Sequence, residues 1–293
     1  MRGNTRIPDA CLRWKDYRQQ ITDYIIESSE SGERILILGS GACDDIDLYR
    51  MLELDMDIWL SDINVTAMEE AVAAVEKGRP DWVTRLHKVE ADFILVTEAD
   101  VRKYEEACCQ NLDSLQQWWE RYQSVRDQNP MLGAVTAMMR ETGIVQFDLV
   151  ICIGLHSQLY MDLAWRTFEL QNQMQKDTFQ WTLQRIQEEN AQMAERFMKE
   201  VQSIAKKMIL GLEYTTFYKN QPELEQKALE QLMEYGSEGL SVLNLPRVEG
   251  AYQMERELGI CCQNQEVNIQ DWQYFYWPFS EEKSYLMVIF KIV

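Results

Sequence analysis

RILILGSGACDD, residues 34–45, sets four consecutive apolar residues, Ile35 to Leu38, directly against a glycine turn, Gly39-Ser40-Gly41. A short apolar run bounded by glycine predicts a strand buried on both faces. Helical periodicity resumes beyond the turn and continues through Leu52. Such a turn lets a ligand approach the backbone closely, because no Cβ stands in the way. The alternation repeats along the chain. Residues 56–61 predict a second strand ending at Asp62, and 65–77 a helix rich in Ala and Glu. Residues 82–89 predict a third strand closing on Glu90-Ala91-Asp92-Phe93. Residues 147–153 predict a fourth, ending at Gly154-Leu155-His156-Ser157, and 208–212 a fifth. Short apolar strands alternating with helices predict a mostly parallel α/β sheet with helices on both faces. The segments 267–277 and 285–293 are long, aromatic and β-branched, and a loop of hairpin length separates them. The sheet is therefore expected to finish in an antiparallel hairpin.

No Pro-, Gly- or Ser-rich linker interrupts the chain, so 1–293 reads as a single domain. Its 1–32 segment is expected to hold a helix from Asp9 to Ser28 and a polar loop. Its 94–146 segment carries three helical patterns, more than a simple crossover needs, and reads as a helical insertion. Between His156 and Met208 lies a longer helical stretch. Asp177-Thr178-Phe179-Gln180 resembles a capping box, which predicts a break there.

Lys and Arg number 29 against 48 Asp and Glu, for a formal charge of −19. A strongly acidic field repels phosphate backbones and anionic lipid, which argues against nucleic acid as a partner. Arg2, Arg6, Arg13, Lys15 and Arg18 form a basic N-terminal cluster that reads as a solvated helix face. No apolar run approaches a membrane span of roughly 18–20 residues, and the N-terminus lacks an apolar signal core. A cytoplasmic location is expected, with no membrane partner. Seven cysteines without a CxxC, and only two histidines, predict neither a disulfide framework nor a metal site.

Asp62 follows Gly41 by 21 residues. An acid at the end of the second strand, about 20 residues past the glycine turn, suits the two hydroxyls of a ribose. Asp92 closes the third strand on the same expected sheet edge. A dinucleotide would need positive potential at its pyrophosphate, yet Asp44 stands where GxGxxG has its third glycine, with Asp45 and Asp47 following. Three carboxylates repel a pyrophosphate and suit a cationic ligand. S-adenosylmethionine carries a ribose, a sulfonium and an ammonium but no phosphate, and the residues favour it over NAD.

At these motifs the chain resembles the class I S-adenosylmethionine-dependent methyltransferases. ERILILGSGACDD is similar to their first motif, DIWLSDIN to the second, VEADF to the third and FDLVICIGLHSQL to the fourth. The resemblance implies a seven-stranded Rossmann-like sheet whose last strand is antiparallel. It also implies Gly39, Ser40 and Gly41 around the methionyl group, Asp62 on the ribose, and Asp92 with Phe93 at the adenine. Ile63 in the second motif and Gly154 in the fourth join that cofactor pocket. Two positions depart from the family. Ile37 stands where an acid usually helps hold the methionyl ammonium, and Cys43 replaces a glycine. Asp44 or Asp45 is expected to substitute for the missing acid.

The fourth motif lacks the Asn/Asp-Pro-Pro-aromatic signature of many amino-group methylases, and Leu155-His156 is closer to small-molecule methylases. His156, with Tyr160 one turn on, is a candidate general base; lining the pocket is the competing role. The expected activity is methyl transfer to an O, N or C atom of a small-molecule acceptor, with the insertion and first helix forming lid and acceptor pocket. The alternatives are a non-catalytic binding protein, favoured by Ile37, and an NAD-dependent enzyme.

Overall fold

The structure, a computed structural model, describes residues 7–293. Arg2 and Arg6 of the basic cluster lie outside the described residues, as does the start of the 1–32 segment. Strands β1 (Arg34–Leu38), β2 (Asp57–Asp62), β3 (Leu86–Glu90), β4 (Leu149–Ile153), β5 (Met208–Tyr218), β6 (Ile269–Trp277) and β7 (Lys283–Ile292) form one seven-stranded sheet. Their order is β3-β2-β1-β4-β5-β7-β6. β1 to β5 are parallel, and β7 is antiparallel to both of its neighbours. The expected α/β sheet, Rossmann-like with its last strand antiparallel, is the one observed.

The chain order of the helices is α1 (Ala10–Arg13), α2 (Lys15–Glu27), α3 (Leu48–Leu52), α4 (Val65–Gly78), α5 (Glu98–Gln110), α6 (Leu112–Gln128), α7 (Gly133–Thr142), α8 (Met161–Leu170), α9 (Lys176–Ile204), α10 (Pro222–Tyr235), α11 (Ser237–Ser241) and α12 (Glu249–Gln263). Strand side chains alternate between faces, so each strand feeds two cores. Ile35, Ile37, Ile151, Ile209 and Met287 pack with residues of α1 to α4. Leu36, Leu38, Cys152, Leu210 and Val288 pack with residues of α5 to α9 and α12. A third cluster sets Ala228 of α10 and Leu240 of α11 against Phe217 and Leu286.

Local chemistry accounts for most boundaries. Asn64 Oδ1 accepts from the Ala67 amide at 3.1 Å and opens α4. Thr97 and Asp100 form a reciprocal capping box that starts α5. The box expected at Asp177 is not one: α9 starts at Lys176 without a side-chain cap, and Asp177 sits in its first turn. The first helix, expected to run unbroken from Asp9 to Ser28, is broken at Trp14, which is buried, while Leu12 is 77% exposed. Residues 80–85 form a 3-10 helix opened by Pro80 at its first turn, so 82–85, expected to begin the third strand, are not part of it. β5 continues past Leu212 to Tyr218 because β7 pairs with it across a bulge between Glu213 and Thr215. The insertion forms the three expected helices.

Candidate functional site

The order of the strands reverses between β1 and β4, and the loops following both leave the carboxyl edge of the sheet. In open α/β sheets that crevice is the binding position. After β1 the glycine turn is tied to the end of β2. The Ser61 carbonyl accepts from the Gly39 and Ser40 amides at 2.8 and 3.2 Å. Asp62 Oδ2 accepts from the Gly41 amide at 2.8 Å, and its Oδ1 from the Asn64 amide at 2.8 Å. Gly39 and Gly41 have φ of 70° and 48°, and Cys43 keeps the left-handed conformation at 52°. A Cβ on Gly39 would stand 3.0 Å from Leu155 Cδ1, so a glycine lets the turn after β1 pack against the turn after β4. Three consecutive amides are thus spent within the protein. A pyrophosphate cradle needs such amides free.

The carboxylates behind the turn differ among themselves. Asp47 caps α3 through the Tyr49 amide at 3.1 Å and pairs with Arg18 at 3.4 Å. Asp44 is buried and accepts from Cys11 Sγ at 3.1 Å. Burial raises the Asp45 carboxyl from 3.8 to about 6; Asp44 adds to the rise and Arg18 opposes it. A carboxylate costly to ionise alone is a ready partner for a cation. Asp92 Oδ1 accepts from the Ile94 and Leu95 amides at 3.1 and 3.0 Å, and the Asp62 carbonyl accepts from the Ala91 amide at 3.0 Å. Asp62 and Asp92 therefore end adjacent strands side by side. Phe93 is buried and Ile63 is exposed.

Gly154 closes β4 at φ 67°. His156 turns into the core: it is 2% exposed, lies edge-on to Phe197, and has Nε2 at 3.8 Å from Cys152 Sγ. Burial pushes its ring down to about 3. An imidazole that protonates only near pH 3 is a weak general base. Tyr160 is also buried, its hydroxyl hydrogen-bonded to that of Tyr122 at 2.7 Å, and burial raises its phenol well above the usual range. Both side chains belong to the packing beneath the insertion, which corrects the expectation of a base at either position.

On the other sheet face the edge carries groups that sequence reasoning did not assign to the site. Glu213, 3% exposed, has Oε1 2.6 Å from Ser157 Oγ, which donates to it. Gly154 brings this carboxylate close, since a Cβ there would stand 3.3 Å from Glu213 Oε1 and 3.7 Å from the Trp277 ring. Tyr17 of α2 stacks on Trp277 with centroids 5.1 Å apart and planes 9° from parallel. The one signal in the sequence was an acid next to an apolar run, and the expected end of β5 at Leu212 hid it.

The concavities lie elsewhere. One of about 670 Å³ runs along 177–187 of α9, with walls from that helix alone. Another of about 110 Å³ lies within the insertion, between Leu95, Lys103, Trp118 and Tyr122. The first includes no group of the carboxyl edge. The second is well below the roughly 300–1,000 Å³ of small-molecule pockets.

A seven-stranded sheet with β7 alone reversed is the arrangement the motifs implied, and the structure adds its order, 3-2-1-4-5-7-6. The fold is that of the class I methyltransferases. No protein-family model matches the chain, and no curated protein matches it in sequence. Solved structures similar to it include the glycopeptide N-methyltransferase MtfA, at 9% identity and a TM-score of 0.43 over 94% of this chain and 95% of that one. A SAM-dependent methyltransferase from Methanosarcina mazei is similar at 11% identity and a TM-score of 0.42, over 92% and 95% of the two chains. A protein of Bordetella parapertussis described as a "possible exported protein" is similar at 12% identity and 0.41, over 98% and 70%. Likenesses this distant carry no residue roles; the fold rests on the strand order.

Proposed function

We propose that the chain binds S-adenosylmethionine in the crevice between β1 and β4 and transfers its methyl group to a small-molecule acceptor. The observation that carries this reading is the turn at 39–41, whose amides are spent on Ser61 and Asp62 while three carboxylates, one of them paired with Arg18, stand behind it. That favours a ligand with hydroxyls and positive charge and disfavours the pyrophosphate of NAD. Asp62 keeps lone pairs for a ribose, Asp45 faces the ammonium in place of an acid at 37, and Asp92 with Phe93 borders the adenine. The bound cofactor supplies an electrophilic methyl group. The protein's part is to align the acceptor in line with it and exclude water beneath α2. In this reading the protein works in the cytoplasm.

Calorimetry against S-adenosylmethionine, S-adenosylhomocysteine and NAD tests the cofactor. The first two are expected to bind and NAD not to. Asp62→Ala removes a charge-assisted acceptor worth roughly 1.5–3 kcal/mol, so affinity for S-adenosylhomocysteine should fall about tenfold or more. Unchanged affinity in the folded variant overturns the assignment. Ile37 favours a second reading, a binding protein without catalysis. Formation of S-adenosylhomocysteine in the presence of an acceptor separates the two.

A further inference from the structure

Glu213, Tyr17 and Trp277 meet at the sheet edge, each with one side-chain polar atom uncommitted. β5 pairs Gly211 with Ile153, the last residue of β4, so Glu213 lies just beyond the end of β4, level with Gly154. Side-chain alternation turns it to the face that carries Ile209 and α2, and the bulge after it frees it from the regular ladder. Ser157 Oγ occupies Oε1, whereas Glu213 Oε2, Tyr17 Oη and Trp277 Nε1 are buried without a hydrogen-bond partner among the described residues. Burial raises the Glu213 carboxyl, and both Glu213 and Asp45 act on Tyr17. Buried polar groups are ordinarily satisfied, and three orphans in one aromatic-walled cluster mark a place where a ligand completes them.

The geometry points to an acceptor subsite for a small organic amine, held by Glu213 Oε2 beside the stacked rings of Tyr17 and Trp277. The inference rests on the methyltransferase reading for its reaction, though not for the binding. A carboxylate with a free oxygen accepts from an ammonium, and aromatic faces favour a cation. Asp44, Asp45 and Asp62 add negative potential along the same edge. Of the cations nearby, Arg18 pairs with Asp47, while Lys283, whose Nζ donates to Tyr285 Oη at 2.7 Å, acts on Glu213 from a distance without forming an ion pair with it among the described residues. An anionic acceptor would meet carboxylates, and a neutral alcohol would leave Glu213 without a direct ion-pair partner. The balanced step is N-methylation. The ammonium gives one proton to Glu213 Oε2. The freed nitrogen lone pair then forms the N–C bond as the S–C bond breaks, and its electron pair stays on sulfur. The product leaves as the methylated ammonium, and the proton on Glu213 passes to solvent. α2 closes the subsite, so the amine enters when α2 lifts.

Calorimetry with methylamine, ethylamine and 2-phenylethylamine, each against the alcohol of the same shape, tests this with and without saturating S-adenosylhomocysteine. At least one amine should bind and its alcohol should not. Glu213→Gln should weaken that amine tenfold or more while S-adenosylhomocysteine affinity changes less than twofold. Ser157→Ala, milder for folding, should weaken it severalfold. Failure of all three amines to bind overturns the inference, as does binding that Glu213→Gln and Ser157→Ala leave unchanged. Amine binding by a protein that ignores S-adenosylhomocysteine keeps the subsite and overturns the methyltransferase reading instead.

Discussion

In the proposed reading, Asp45 stands in for a missing residue. The family's acid two residues before the first glycine is Ile37, whose side chain is committed to the core. A carboxylate there would be buried in a strand between apolar neighbours. Asp45, beyond the turn, is partly exposed and is raised by burial from 3.8 to about 6. Between those values the folded state binds the proton more tightly than the unfolded chain. Stability therefore falls as pH rises from 3.8 towards 6, by on the order of 1–3 kcal/mol. Asp45→Asn should flatten that fall, read from melting temperatures across the range. A ligand ammonium reverses the preference by favouring the ionised carboxylate. S-adenosylmethionine affinity should consequently weaken as pH drops through about 6 in the wild type and change less in Asp45→Asn. Parallel pH profiles for the two proteins would show that Asp45 does not face the ammonium.

Among the elements, α6 is fastened to α9 by a buried charge network. Glu189, fully buried, pairs with Arg126 and, at 2.6 Å, with Arg185, while Gln123 Nε2 donates to it at 3.2 Å. Arg126 also pairs with Asp127 at 2.8 Å. Taking these charges from water is costly, and their arrangement is stable only as a set. Glu189→Ala leaves two arginines facing each other and should cost on the order of 3–5 kcal/mol in urea unfolding. Replacing Arg126, Arg185 and Glu189 together with methionine should recover much of it. A single substitution as mild as the triple one would mean the network contributes little. Tyr104 and Thr167, hydroxyl to hydroxyl at 2.6 Å, tie α5 to α8 in the same way. The insertion is thus built into one face of the molecule.

At the scale of the whole molecule, that attachment decides which part can move. Residues 94–146 were expected to form the lid with the first helix. The helix lying over the 39–45 turn is α2, held by the Arg18–Asp47 pair and by Thr22 Oγ1 accepting from the Asp47 amide at 2.9 Å. α1 and the C-terminal hairpin brace it, since Trp14 Nε1 donates to the Phe279 carbonyl at 2.9 Å. These ties are part-buried, and ties of that kind open more readily than a fully buried charged network. Amide exchange should therefore show S-adenosylhomocysteine protecting 15–27 with 39–45, while α6 stays unchanged. Protection of α6 with an indifferent α2 would return the lid to the insertion.

The sequence by itself determined the strands of the parallel sheet and the edge that carries the glycine turn and its acids. Apolar runs at 34–38, 147–153 and 208–212 are legible because a strand buried on both faces must be apolar throughout. The glycine turn and the acids at 62 and 92 are legible because local spacing along consecutive strands places them on one edge. The helices at 222–235 and 249–263, the split at Trp14 and the 3-10 turn at Pro80 depended on packing partners far along the chain. The Tyr17, Glu213 and Trp277 cluster was decided by tertiary structure alone. Its members come from α2, β5 and β6, and neighbours along the chain carry no record of which side chains will meet once seven strands have chosen their order. For the same reason the sequence left His156 between a general base and a pocket-lining role: only the fold shows that its ring turns toward Phe197 and away from the edge.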